Sequence, residues 1–247
     1  MYEEFAQVYD KLMKEIDYLK WSEYLQGLFL NANREINSVL EFGCGTGNIT
    51  CSLADKGFEM TAVDLSEAML TFADEKAREK GFKNIQFYLG DMSNFEIDQT
   101  YDAVISCCDC VNYLPSLESL QSFLVCSHDR LKSKGLLLFD INTISKYKNI
   151  IKDNTYIYDV DDVFCVWENE PDYAKKEMQF NLTFFSENPD KTYSRFEEIQ
   201  TQYMYTIDEI NRCLTTIGFH KIKYFDFGTD SQGSDDRERI QIVAEKK

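Results

Sequence analysis

No apolar run in this chain reaches the roughly 18 residues that a membrane-spanning helix needs. Positive charge is scarce: 26 Lys and Arg stand against 43 Asp and Glu, a formal net charge of −17 at pH 7. Nucleic-acid affinity comes mostly from Lys and Arg neutralising phosphates. Here the basic residues are scattered, and the densest tracts, 146–152 and Lys175-Lys176, are short. Neither a membrane nor a polynucleotide partner is expected, and the acidic balance serves solubility. Histidine is nearly absent, with only His128 and His220. Neither has an evident partner, so both are expected in structural or surface places. The start, Met1-Tyr2-Glu3-Glu4-Phe5, has no basic region leading into an apolar one, and a cytoplasmic protein is the expectation. Eight cysteines then read as free thiols. Cys107-Cys108-Asp109-Cys110 has no second Cys/His pair at zinc-ligand spacing, so no metal is expected there. No internal repeat or low-complexity segment is present.

What is present suits a large buried core: 247 residues, 44% hydrophobic and 14% aromatic, within the range of a single α/β domain. Apolar residues Tyr2, Phe5, Tyr9, Leu12 and Met13 recur at helical spacing, as do Trp21, Tyr24, Leu25, Leu28 and Phe29. Strands and helices then alternate: strand 38–42, helix 47–56, strand 59–63, helix 66–80, strands 84–88 and 101–107, helix 116–132, strand 135–141. Glycines 57, 81 and 135 read as helix C-caps. Near-continuous apolar strands such as Ala103-Val104-Ile105 argue a parallel sheet with helices on both faces. From Tyr156 to Tyr205 the pattern becomes β segments at 156–160, 163–168, 177–185 and 193–205, with Glu170-Pro171-Asp172 and Glu187-Asn188-Pro189-Asp190 as breakers. Thr206-Ile207-Asp208-Glu209 has capping-box form, its helix ends before Gly218, and strands 219–226 and 239–245 flank an exposed loop.

The chemistry concentrates in Val39-Leu40-Glu41-Phe42-Gly43-Cys44-Gly45-Thr46-Gly47. An apolar strand runs into glycines spaced G-x-G-x-G, which let the chain turn sharply and a ligand approach without a Cβ in the way. About twenty residues on, Asp64 ends a second apolar strand, the arrangement that binds a nucleoside-containing cofactor. The glycine spacing is one residue shorter than the dinucleotide fingerprint G-x-G-x-x-G, which disfavours a nicotinamide oxidoreductase.

These surroundings resemble the first motif of class I S-adenosylmethionine-dependent methyltransferases. Asp64 matches that family's ribose-binding acid, and Gly90-Asp91-Met92 its adenine-contacting position after the third strand. Tyr101-Asp102-Ala103-Val104-Ile105-Ser106-Cys107 resembles the fourth-strand motif, whose end passes the methionine moiety. The segment Tyr2–Asp10 also resembles a subgroup of small-molecule methyltransferases in which such a helix folds over the cofactor. The resemblance implies an α/β fold: a doubly wound, mostly parallel seven-stranded sheet of Rossmann-like methyltransferase type with an antiparallel β insertion. Core 1–154 and 206–247 would flank insertion 155–205, which would form a substrate cap. The implied cofactor is S-adenosylmethionine, and the expected cofactor-binding residues are Tyr9, Gly43, Cys44, Gly45, Asp64, Leu65, Met69, Asp91, Met92 and Cys107. Tyr2 and Trp21 stand behind Tyr9 in the same role, and Glu41 is expected beneath the glycine loop as a support.

The acceptor is far less legible. Methyl transfer is an in-line displacement, and the enzyme contributes mainly placement and exclusion of water. Asp109, Asn112 and Tyr113 follow the fourth strand, where doubly wound folds build their sites. The insertion offers Trp167, Arg195, Glu197, Glu198 and Gln200, of which alternation turns only one face inward. Asp109, Tyr113 and Glu198 are the catalytic candidates. The expected activity is methyl transfer to nitrogen or oxygen of a small-molecule methyl acceptor; an RNA or protein methyltransferase, or a non-catalytic cofactor-binding module, shares the same core.

Overall fold

The computed structural model describes residues 3–32 and 34–247; Tyr2 lies outside them. Helices α1 (Glu3–Leu12) and α2 (Tyr18–Leu30) precede β1 (Ser38–Phe42), α3 (Asn48–Asp55), β2 (Glu59–Asp64), α4 (Glu67–Glu79) and β3 (Ile85–Leu89). Next come β4 (Tyr101–Ser106), a 3₁₀ turn at Cys110–Tyr113, α5 (Leu117–Arg130) and β5 (Leu131–Asn142). The short α6 (Ile144–Lys146) and a π-helical turn at Tyr147–Ile151 lead to β6 (Thr155–Val160), β7 (Val163–Asp172), β8 (Glu177–Glu187) and β9 (Tyr193–Tyr203). The chain closes with α7 (Ile207–Ile217), β10 (Phe219–Asp226) and β11 (Arg239–Lys246).

Among the described residues, seven strands form one sheet in the order β10-β11-β5-β4-β1-β2-β3. β1 runs parallel to β2 and β4, and β11 is antiparallel to both its neighbours. Period-two alternation explains how both faces are covered. Leu40, Phe42 and Val104 point to one side and pack with Leu120, Phe123 and Leu124 of α5 and Ile210 and Leu214 of α7. Val39, Ala103 and Ile105 point to the other and meet Trp21 and Leu25 of α2 and Ile49 and Leu53 of α3. Chain order reverses between β1 and β4, so a crevice opens beyond their carboxyl ends. Facing that crevice, β6-β7-β8-β9 form an antiparallel meander. Its inner residues Val163, Cys165, Met178, Phe180, Leu182 and Phe184 share a core with Phe5 and Val8 of α1 and Met69 of α4.

Two local expectations are corrected. Gly135 is no helix cap: α5 stops at Arg130, Leu131 is already extended, and Gly135 lies inside β5. A Cβ there would come within 2.8 Å of the Lys132 carbonyl oxygen, so the position needs glycine for close packing of backbone. Glu170-Pro171-Asp172 does not end a strand either, because β7 continues to Asp172. β6 pairs with β7 only as far as Glu168, so Pro171 sits where one edge of β7 is open and a missing N–H is tolerated. The capping box at Thr206 and Glu209 forms as expected, and Gly218 ends α7 at φ +113°.

Candidate functional site

β1 ends in a turn whose backbone only glycine adopts without strain. Gly43 has φ +70° and Gly45 φ +53°. The N–H groups of Gly43 and Cys44 both donate to the Val63 carbonyl, at 2.8 and 3.1 Å, which ties the loop to β2. A Cβ on Gly43 would lie 2.6 Å from Cys110 Sγ. Gly43→Ala therefore combines a left-handed alanine, worth about 1–2 kcal/mol, with a clash. The variant is expected to lose about 2 kcal/mol or more in a urea titration, and parental stability would refute the close approach.

Asp64 closes the loop from the other side. Gly45 N–H donates to its Oδ2 at 2.7 Å and Ser66 N–H to its Oδ1 at 2.9 Å. Burial raises its pKa, and the N–H groups of Ser66, Gly45 and Leu65 partly offset this. Beneath the loop, Thr50 in the first turn of α3 donates its hydroxyl to Glu41, whose carboxyl burial pushes up to about 8.

Among the described residues, those expected at the cofactor line one continuous cavity of about 760 Å³: Tyr9, Gly43, Cys44, Gly45, Asp64, Leu65, Met69, Asp91, Met92 and Cys107. Met69 is buried, whereas Leu65 is 69% exposed and stands at the rim. Asp91 accepts from Ser93 N–H and Ser93 Oγ, both at 2.8 Å and both on Oδ1. Trp21 also lines the cavity. So do Cys108 and Cys110, and burial pushes these thiols and those of Cys44 and Cys107 well up. They are protonated wall residues, not thiolate nucleophiles.

The acceptor candidates divide. Asp109, Tyr113, Trp167 and Gln200 line the same cavity, and Tyr113 Oη donates to Gln200 Oε1 at 2.9 Å. Glu198 is not among the lining residues, although it shares a face of β9 with Gln200. Arg195 and Glu197 point to the opposite, exposed face, where they pair with each other. Asn112 is buried as a brace, its amide donating to the Asn142 and Tyr203 carbonyls. Asp109 is already engaged: Oδ1 accepts from Arg239 at 2.6 Å, and Oδ2 from Gln202 Nε2 at 2.5 Å. Arg239 also holds Asp140 and lies 5.4 Å from the ring centre of Trp21. That network occupies both Asp109 oxygens and makes the residue part of the frame behind the cavity. The histidines stay outside the cavity: His220 Nε2 stands 3.2 Å from Glu245, and His128 packs edge-on against Phe219.

Sequence reasoning missed Asp10. Its carboxylate accepts from Thr46 Oγ1 at 2.6 Å, Asn48 Nδ2 at 2.9 Å and Lys76 Nζ at 2.9 Å. Burial opposes its charge, but these donors outweigh burial and hold the carboxyl below its usual range. Lys11 pairs with Asp162 at 2.5 Å and Lys14 with Asp161 at 3.4 Å, on the turn between β6 and β7. Thus α1 is tied to the glycine loop and to the second sheet. Thr46 inside the glycine motif and Asn48 directly after it were the available clue, since neither is needed for the turn itself.

A family model described as a methyltransferase domain matches residues 39–135. A methyltransferase-family protein of Geobacillus sp. (strain WCH70) is 34% identical over 246 residues, which is 99% of each chain. YqeM of Bacillus subtilis (strain 168), named for the same activity, is 32% identical over 100% of this chain and 97% of its own. The crystal structure of an S-adenosylmethionine-dependent methyltransferase from Clostridium acetobutylicum ATCC 824 matches with a TM-score of 0.89 at 30% identity, over 99% of this chain and 98% of that one. With the short glycine turn, the acid ending β2 and the seven-stranded order on the same chain, the protein belongs to the class I S-adenosylmethionine-dependent methyltransferases.

Proposed function

We propose that this enzyme transfers the methyl group of S-adenosylmethionine to a nitrogen or oxygen of a small molecule held beneath the second sheet. One observation carries the reading: a single cavity runs from the glycine loop to the underside of β7, β8 and β9, roofed by Trp167, Phe180 and Gln200 and walled by Tyr9 of α1. Residues 155–205 then act as a cap over the acceptor. The chain's net charge of −17 adds weight against a polynucleotide acceptor.

The residues present fit the cofactor. Gly45 and Ser66 N–H each take one lone-pair direction of Asp64, with Leu65 N–H also nearby, and a carboxylate has about four such directions in all. Asp64 thus keeps acceptor capacity for a ribose diol, while Leu65, Met69 and Met92 offer apolar cover for an adenine and Asp91 an acceptor for its amino group. At Gly45 nothing lies within 4 Å of where a Cβ would stand, so the loop backbone is open to a ligand. When bound, S-adenosylmethionine supplies a methyl carbon activated by a sulfonium. The chain supplies orientation and dryness: Tyr9 closes the cavity from above, and Tyr113 and Gln200 fix a polar edge opposite the glycine loop. With the cavity thiols protonated and Asp109 engaged by Arg239, an acceptor with its own free lone pair needs no base from these groups.

The test is transfer of isotopically labelled methyl from S-adenosylmethionine to a cell extract split into small-molecule, RNA and protein fractions. Label is expected in the small-molecule fraction. Label confined to RNA or protein would overturn the reading.

A further inference from the structure

The acceptor end of the cavity contains a cation with unused donors. Lys146 closes α6, immediately after β5, and lines the cavity. Its Nζ donates to Asn142 Oδ1 at 2.8 Å, and among the described residues it makes no ion pair. An ammonium has three N–H donors, so two remain. The other cation of the cavity, Arg239, is held by Asp109 and Asp140.

Neighbouring amides fix the direction in which Lys146 faces. Gln202 Nε2 donates to the Asp109 carboxylate at 2.5 Å, which can only accept. Gln202 Oε1 is therefore turned to receive Tyr147 Oη at 2.7 Å and Asn142 Nδ2 at 3.4 Å. With its amino group so used, Asn142 presents Oδ1 to Lys146. Burial, and then the charge of Arg239, lowers the Lys146 pKa, while Asp109, Asp140 and Glu238 work against that fall. A partly buried ammonium without a contacting anion is costly unless a ligand supplies one.

The surroundings say what else that ligand carries. The π-helical turn that follows Lys146 presents Ile150 and Ile151 to the cavity, beside Tyr158, Trp167 and Phe180. Such turns recur at functional sites. Trp167 meets Phe180 edge-on at 5.3 Å, giving an apolar aromatic wall. One ammonium against an apolar wall matches a singly charged anion. The net charge of −17 repels anions at long range, so affinity for one must come from a local cation.

We propose that Lys146 seats a carboxylate of the methyl acceptor, and that the acceptor is a small carboxylic acid with an apolar, ring-bearing body. This rests on the reading that the acceptor lies beneath the second sheet. The test uses the full chain saturated with S-adenosylhomocysteine and two probes of nearly equal shape, benzoate and benzamide, in calorimetry. Benzoate is expected to bind at least ten-fold more tightly than benzamide. Lys146→Met is expected to abolish that preference and Lys146→Arg to keep most of it, with S-adenosylhomocysteine affinity within two-fold of the parent in both. Equal binding of the two probes by the parent chain overturns the proposal, as does a preference that survives Lys146→Met. Either failure leaves the small-molecule reading standing, whereas label confined to RNA or protein removes that reading whatever benzoate does.

Discussion

Asp64→Ala is expected to bind S-adenosylhomocysteine at least a hundred-fold more weakly than the parent chain. Hydrogen bonds to a charged group are worth about 1.5–3 kcal/mol each, and a ribose diol would make two to this carboxylate. The same oxygens hold Gly45 and Ser66, so the alanine also frees the glycine loop. Asp64→Asn keeps the shape and one acceptor oxygen, and an intermediate loss is expected. Because burial already raises the Asp64 pKa, its affinity-bearing charge is lost on acidification earlier than that of an exposed aspartate. Affinity should fall as pH drops through that value. Calorimetry across pH checks both statements, and parental affinity in Asp64→Ala would remove Asp64 from the cofactor site.

Arg239→Met is expected to cost about 3–5 kcal/mol of stability, because breaking a buried ion pair from one side leaves uncompensated charge. Here two carboxylates, Asp109 and Asp140, lose their shared partner, and Asp140 is fully buried. Trp21 and Phe227 also lose the guanidinium lying 5.4 and 5.7 Å from their ring centres. The pH dependence has a definite sign. Burial raises the Asp140 pKa, with Arg239 opposing it, so removing Arg239 raises it further. A carboxyl raised in the folded state destabilises increasingly as pH climbs above its unfolded value. The gap between variant and parent should therefore widen toward neutral pH and shrink toward acid. Urea titrations at several pH values test this, and a loss within about 1 kcal/mol at neutral pH would contradict it. Adding Asp140→Asn should recover part of the loss, the non-additivity expected of contacting residues.

The glycine-loop end of the cavity was legible because its information is local. Gly43, Gly45 and Asp64 declare themselves through strand, turn and acid within a short stretch, and the backbone positions each side chain almost alone. Gly135 misled because a glycine at the end of a helical pattern looks like a cap; only the neighbouring Lys132 and Asp102 carbonyls reveal its reason. The inward face of β9 was undecidable for a different reason. Arg195–Gln200 places one apolar residue on each face, Phe196 beside Glu198 and Gln200 and Ile199 beside Arg195 and Glu197, so no hydrophobic pattern marks a side, and the register with β8 decides it. Arg239 and Asp109 meet across 130 positions of sequence, a pairing set by the antiparallel return of β11 against β5. Asp109 thus looked like a candidate base until its partner was in view.

α1 has a consequence for how the two ligands sense each other. Asp10 fastens it to the glycine loop, while Phe5 and Val8 complete the core under the second sheet. The glycine-loop end of the cavity and the space proposed for the acceptor therefore share one wall. Any displacement of that wall changes both affinities together, and thermodynamic linkage makes the exchange symmetric. Whatever factor the donor contributes to acceptor binding through α1, the acceptor returns to the donor in full.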